Sequence, residues 1–245
     1  MSKPPVLILG ARSDIALALA HAFARRGHPL MLGLRDPNRM ADAEADLELR
    51  YKAEVTRHAF DAADPASFAA FFDGLPATPH IVVSAVGAMP EQDATVADPA
   101  LAAEVIAANF TGPALALEEA ARRLSAIPRR TAVIGISSVA GDRGRAKNYA
   151  YGAAKAGFSA WLSGLRQKYA GTKLLVMTVK PGFVRTAMTA GLKLPGPVTV
   201  SADKAAAVIL QGLDARRPVV YTPRWRWIMM IIRALPEGIF QKLKF

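Results

Sequence analysis

Apolar residues fall along this chain in short blocks separated by longer amphipathic stretches. The first block, Val6-Leu7-Ile8-Leu9, stops at Gly10, and from Leu17 to Arg25 the apolar positions take helical spacing. The same exchange repeats to the end of the chain. It predicts strands near 6–9, 29–34, 55–60, 80–84, 131–136, 174–180 and 218–221, with helices filling most of the intervals. Alternation of this kind gives a doubly wound α/β fold, a mostly parallel sheet of about seven strands with helices on both faces. No repeat, low-complexity tract or linker interrupts it. The expected organisation is one domain, with 1–215 as its body and 216–245 as a basic, apolar extension.

Composition narrows the chemistry. The chain has 245 residues, 52% of them apolar, enough for one α/β domain with a sizeable core. The absence of cysteine excludes disulfides, thiolate chemistry and cysteine-ligated zinc. The four histidines, His21, His28, His58 and His80, do not pair at metal-ligand spacing, so no metal site is expected. The first apolar block is too short for a signal peptide, and no run approaches the ~18–20 apolar residues that span a bilayer. The expected location is cytoplasmic.

Ser138 precedes Tyr151 by thirteen residues, and Lys155 follows the tyrosine by four. Residues four apart share a helix face. An ammonium roughly 4–5 Å from a phenol, at an effective dielectric near 20, favours the phenolate by roughly 3–4 kcal/mol. On that reasoning Lys155 lowers the Tyr151 pKa by about two to three units, toward the range useful for proton transfer. Ser138 then holds the oxygen that gains or loses the proton. At the other end, Gly10-Ala11-Arg12-Ser13-Asp14-Ile15-Ala16 joins a strand to a helix, where backbone N–H groups can hold a pyrophosphate. The later glycine positions of the dinucleotide fingerprint read Asp14 and Ala16 here.

Further motifs stand in a fixed order between and after these. They are Asp61 in His58-Ala59-Phe60-Asp61, Ser84-Ala85-Val86-Gly87, Asn109 in Ala107-Ala108-Asn109-Phe110, and Pro181-Gly182-Phe183-Val184-Arg185-Thr186. With the Ser138, Tyr151 and Lys155 set, they make the chain resemble a short-chain dehydrogenase/reductase over nearly its whole length. The resemblance implies a single-domain Rossmann fold and a nicotinamide-dependent oxidoreductase. It implies Asn109, Ser138, Tyr151 and Lys155 as catalytic residues, with Asn109 supporting a proton-relaying water and Lys155 also binding the nicotinamide ribose. It implies cofactor contacts from Gly10, Arg12, Ser13, Asp14, Ile15, Arg35, Asp61, Ala85, Gly87, Tyr151, Lys155, Pro181, Gly182, Val184 and Thr186. Arg35 follows the second strand where an acid would select NAD(H). With Arg12 it suits the 2′-phosphate of NADP(H), while the neighbouring Asp36 keeps NAD(H) as the alternative.

Two features bear on the substrate. Arg143, Arg145 and Lys147 lie between the serine and the tyrosine, suiting a substrate phosphate as well as a solvated basic loop. From Arg216 to Phe245 there are seven Lys/Arg, including Lys244, against one acid, interleaved with Trp225, Trp227, Met229, Met230, Ile231 and Ile232. Such a segment suits a bilayer surface or a subunit contact better than nucleic acid. Both features resemble one subgroup of the family, the reductase component of decaprenylphosphoryl-ribose 2-epimerase. That likeness implies a polyprenyl-phosphate-linked keto pentose as substrate, a flavin oxidase as partner, and a peripheral place on the cytoplasmic face of a membrane. The alternatives are a soluble reductase of another small-molecule carbonyl, whose tail builds a homo-oligomer, and a nonenzymatic dinucleotide-binding protein. The segment 187–203 stands where a substrate lid would lie.

Overall fold

Each predicted strand forms within one residue of its expected limits. The computed structural model describes residues 3–243, so Lys244 lies outside the described residues. The strands are β1 (Val6–Leu9), β2 (Leu30–Leu34), β3 (Val55–Ala59), β4 (Ile81–Ser84), β5 (Thr131–Ile136), β6 (Leu174–Lys180), β7 (Val184–Arg185), β8 (Val200–Ser201) and β9 (Val219–Tyr221). The helices are α1 (Asp14–Arg25), α2 (Ala41–Tyr51), α3 (Phe68–Asp73), α4 (Gln92–Ala97), α5 (Pro99–Ile106), α6 (Gly112–Ser125), α7 (Tyr149–Lys168), α8 (Ala202–Asp214), α9 (Trp225–Ala234) and α10 (Glu237–Phe240). Seven strands form one parallel sheet in the order β3-β2-β1-β4-β5-β6-β9, and β7 pairs with β8 separately.

The two-residue period of the strands divides the core. Val6 and Ile8 face one side with Leu19 and Phe23 of α1, Leu47 of α2 and Ile209 of α8. Leu7 and Leu9 face the other, with Leu117 and Leu124 of α6 and Phe158 and Leu162 of α7. A sheet buried on both faces explains why these strands read as unbroken apolar runs.

The strand order reverses between β1 and β4, which opens a crevice beyond their carboxyl ends. A third, smaller cluster sits beside that crevice. Val139, Trp225 and Met229 are buried there with Phe183 and Tyr221 packed around them. Residues 219–234 of the extension are therefore built into the body. Its β9 completes the sheet, and α9 buries Trp225 and Met229, one helical turn apart.

One expectation is corrected. The segment Pro99–Ser125 is a continuous helix long and apolar enough to cross a membrane by length and composition. Its inner face, including Ala114, Leu117, Ala121 and Leu124, lies in the core against the sheet. A search for uninterrupted apolar runs misses it because Glu104, Glu118 and Glu119 punctuate its outer side.

Candidate active site

The turn after β1 forms one end of the crevice. Gly10 has φ +75°, a left-handed conformation, and an added Cβ would stand 2.8 Å from Val86 N. That close approach brings the ends of β1 and β4 together, where Ala85 N donates to Leu9 O (2.9 Å). Ser13 caps α1, its Oγ accepting from Ala16 N at 3.1 Å. Asp14 reaches across the crevice, its Oδ2 accepting from Ala187 N at 2.8 Å. The carboxylate that stands where the fingerprint has glycine thus ties the dinucleotide turn to the end of the Pro181–Thr186 loop. Ile15 packs against the first core cluster.

Arg12 and Arg35 are exposed near this turn and form no ion pair among the described residues. Asp36 is occupied with its own turn, Oδ1 accepting from Asn38 N at 3.2 Å. Asp61, beyond β3, is exposed and accepts from Ala63 N at 2.9 Å. The cations are therefore left to meet an anion at this corner.

Ser138, Tyr151, Lys155 and Asn109 come together at the ends of β4 and β5. Ser138 opens the turn after β5, its Oγ accepting from Ala140 N at 3.1 Å. Tyr151 and Lys155 lie on one face of α7, with Nζ 5.8 Å from the tyrosine ring centre. The Ser138 hydroxyl stands by the Tyr151 phenol and works to lower its pKa. Lys155 is buried and donates to Ile136 O at 3.1 Å. Gly87 permits the fit, because a Cβ there would lie 2.6 Å from Asn109 Oδ1 and 3.3 Å from Lys155 Nζ.

Asn109 is fully buried in a π-helical turn, Ala107–Thr111, between α5 and α6. Its Nδ2 donates to Ala88 O (2.6 Å) and Val105 O (2.9 Å), and its Oδ1 accepts from Ala88 N (3.3 Å). The side chain is committed to holding the backbone after β4. π turns of this kind are rare and concentrate at functional sites.

The electrostatics differ from the expectation that Lys155 draws the tyrosine pKa down. Burial pushes Tyr151 up to about 12, and the neighbouring Ser138 hydroxyl offsets only part of that rise. Burial lowers Lys155 to about 7. The earlier reasoning weighed attraction between charges and omitted the loss of hydration, which penalises both charged forms. Tyr151 is therefore a phenol throughout the neutral range, and Lys155 titrates near pH 7.

The opposite wall is formed by the Pro181–Thr186 loop and the tail. Val139 N donates to Pro181 O (3.0 Å), and Gly182 N donates to Thr222 Oγ1 (2.9 Å). Gly182 lies flat on Trp225, whose indole would be 2.0 Å from an added Cβ. Trp225 Nε1 in turn donates to Val198 O at 2.8 Å, and Val184 is buried beneath the loop. Thr186 and Thr189 form a reciprocal cap, next to a cavity of about 370 Å³ bounded by Arg185, Leu192 and Leu194.

The basic loop is drawn toward the tail. Arg143 donates to Leu235 O (3.1 Å) and to the Glu237 carboxylate (2.6 Å), and its guanidinium lies 4.2 Å from the centre of the Phe240 ring. Arg145 is partly buried, with Nη2 3.7 Å from Met229 Sδ. Lys147 is exposed. Of the three loop cations, Arg143 and Arg145 are thus partly buried against the tail and Lys147 is exposed.

Several supporting residues escaped sequence reasoning. Asp142, 2% exposed in its side chain, pairs with Lys180 and accepts from Tyr221 Oη at 2.9 Å. This network joins the turn after β5 to β6 and β9. Burial and the Asp142 charge push Tyr221 up to about 12. Gln92, also buried, accepts from Ala150 N at 3.0 Å and so caps the helix that carries Tyr151. The i, i+4 pair Trp225 and Met229 was the one readable signal, since that spacing marks a buried helix face.

A glycine turn at a strand-order reversal, a capped helix start and two open guanidiniums form a donor set that fits a dinucleotide. The tyrosine, serine and lysine beside it define a nicotinamide-dependent oxidoreductase of alcohols and ketones. Residues 5–195 match the short chain dehydrogenase family, and the chain belongs to it. It is 32% identical over 244 residues to an uncharacterized oxidoreductase of Mycobacterium tuberculosis, covering 98% of this chain and 96% of that one. It is 32% identical over 206 residues to the cis-4-hydroxycyclohexanecarboxylate dehydrogenase of Sinomonas cyclohexanicum, covering 82% and 79% respectively. A short-chain dehydrogenase from Sphingobium yanoikuyae, solved in complex with NADPH, superposes with TM-score 0.79 at 25% identity, covering 99% and 97%.

Proposed function

We propose that the protein is an NADP(H)-dependent reductase that interconverts a ketone and a secondary alcohol. The observation that carries this reading is Tyr151 with buried Lys155 on one face of α7, its Nζ 5.8 Å from the phenol ring centre, next to Ser138 and the turn after β1. The turn Gly10–Ile15 and the Pro181–Thr186 loop would hold NADPH, which would supply the hydride for the carbonyl carbon. Ser138 Oγ holds the carbonyl oxygen, and Tyr151 Oη donates the proton to it. A phenol pushed up to about 12 is in the protonated form a general acid needs at neutral pH. Lys155 orients the ribose and Asn109 keeps the wall after β4 in place. Arg12 and Arg35 support the 2′-phosphate, because the Asp36 carboxylate is occupied with Asn38 N. Asp61 supports the adenine end.

The name of the cyclohexanecarboxylate dehydrogenase supports a ring-borne secondary alcohol as the reacting group. A finer reading places that group in a keto pentose on a polyprenyl phosphate, supplied by a flavin oxidase at the cytoplasmic face of a membrane. The apolar tail beside the site supports the lipid part. Lys147 is the loop cation available for the phosphate, since Arg143 is held by the tail.

The experiment compares NADPH and NADH binding in wild type and in Arg12→Ser/Arg35→Ser, followed by turnover of 4-oxocyclohexanecarboxylate and of a polyprenyl-phosphoryl keto pentose. The double variant is expected to bind NADPH roughly 10²–10⁴-fold more weakly and NADH unchanged, since each of the two arginine–phosphate bonds contributes about 1.5–3 kcal/mol. Equal losses for both cofactors would overturn the cofactor reading. Turnover of the cyclohexanone alone would reject the lipid-linked substrate.

A further inference from the structure

The tail has one face that the fold uses and one that it leaves uncovered. On α9, Trp225 and Met229 are buried, while Trp227, Met230 and Ile231 are 63%, 57% and 62% exposed. The i, i+3, i+4 spacing puts these three on one face. Beyond Pro236, Ile239 and Leu243 are exposed as well. Scattered exposed apolar residues are ordinary in a folded protein, but a contiguous set on one helix is not.

The charges around this face are of one sign. Arg224, Arg226, Arg233 and Lys242 are exposed and form no ion pair among the described residues. Glu237, the sole acid in the sequence from 216 to 245, is held by Arg143. Two copies meeting through this face would oppose their unpaired cations. An anionic bilayer offers apolar depth for the tryptophan, methionine and isoleucine side chains and phosphates for the arginines. The face also lies on the far side of the Trp225 helix, whose inner side packs against Gly182 at the crevice wall.

We infer that the Trp227–Met230–Ile231 face of α9, with Arg226, Arg233 and Lys242 around it, docks the protein on an anionic lipid bilayer. Arg143 acts as a strut in this arrangement. Its bonds to Leu235 O and Glu237 and its stacking on Phe240 fix the docking segment to the loop between Ser138 and Tyr151. The site therefore keeps a set orientation to the bilayer. The inference deepens the lipid-substrate reading and rests on that reading only for the purpose docking would serve.

The test is flotation of the full chain with vesicles of phosphatidylcholine alone or with added phosphatidylglycerol, at low and high salt. The variants are Trp227→Ser/Ile231→Ser and Arg226→Gln/Arg233→Gln, both outside the catalytic and cofactor machinery. Wild type is expected to float with anionic vesicles only, and to be released by salt. Each double variant is expected to bind roughly tenfold more weakly or worse, with NADPH turnover of a water-soluble ketone unchanged. That retained turnover shows the variants are folded. It also separates failure of docking from failure of the reductase reading. Absence of flotation, equal binding to neutral vesicles, or unchanged binding by the variants would overturn the inference. So would a wild-type oligomer in solution that Trp227→Ser/Ile231→Ser dissociates, since the face would then belong to a second copy.

Discussion

Replacing Lys155 with methionine is expected to make the protein more stable at neutral pH and less stable at alkaline pH. Lys155 is 3% exposed, and burial lowers its pKa from 10.5 to about 7. Between those values the unfolded chain holds a proton that the folded chain has released. Folding stability contributed by this group therefore rises with pH across the window and is lost as pH falls toward 7. At about 1.4 kcal/mol per pH unit, the full change is about 5 kcal/mol. Methionine has no charge to desolvate, but it gives up the bond to Ile136 O, which costs about 1–3 kcal/mol. The net gain at pH 7 is then about 2–4 kcal/mol, turning into a loss of about 1–3 kcal/mol by pH 10.5. Urea denaturation of wild type and Lys155→Met at several pH values measures this directly. Tyr151 does not confuse the comparison, because its raised pKa acts only above about pH 10 and is common to both proteins. Stability curves that run parallel from pH 7 to 10.5 would refute the reasoning.

Other expected outcomes follow from the same geometry. Asp14→Ala removes the acceptor for Ala187 N and should speed dinucleotide release several-fold with little change in melting temperature, as stopped-flow displacement would show. Gly182→Ala places a Cβ within 2.0 Å of the Trp225 indole, so denaturation should record a loss of about 1–3 kcal/mol or more. Trp225→Ala empties the cluster around Val139 and should cost about 3–5 kcal/mol.

The sheet was legible because its strands are buried on both faces and therefore read as apolar runs between turn signals. The Tyr151-x-x-x-Lys155 pair was legible because helix geometry alone puts both side chains on one face. Their protonation was not, because desolvation depends on Ile136, Phe158 and the other neighbours that the tertiary fold supplies. The partners of Arg143 and Arg145 were hidden for a similar reason. A cation's position in sequence does not say whether it meets a ligand, a carbonyl such as Leu235 O, or a sulfur such as that of Met229. The π turn at Asn109 leaves no mark in a hydrophobic pattern, since it changes the backbone bonding of one turn inside an otherwise regular helix.

The central claim is that this chain transfers hydride through a nicotinamide with Tyr151 as proton donor. The most direct test is NADPH consumption with a ring ketone by wild type and Tyr151→Phe, alongside NADPH binding by both. The account predicts turnover by wild type, a loss of roughly 10²–10⁴-fold in the variant, and unchanged NADPH affinity. Near-normal turnover by Tyr151→Phe would contradict it.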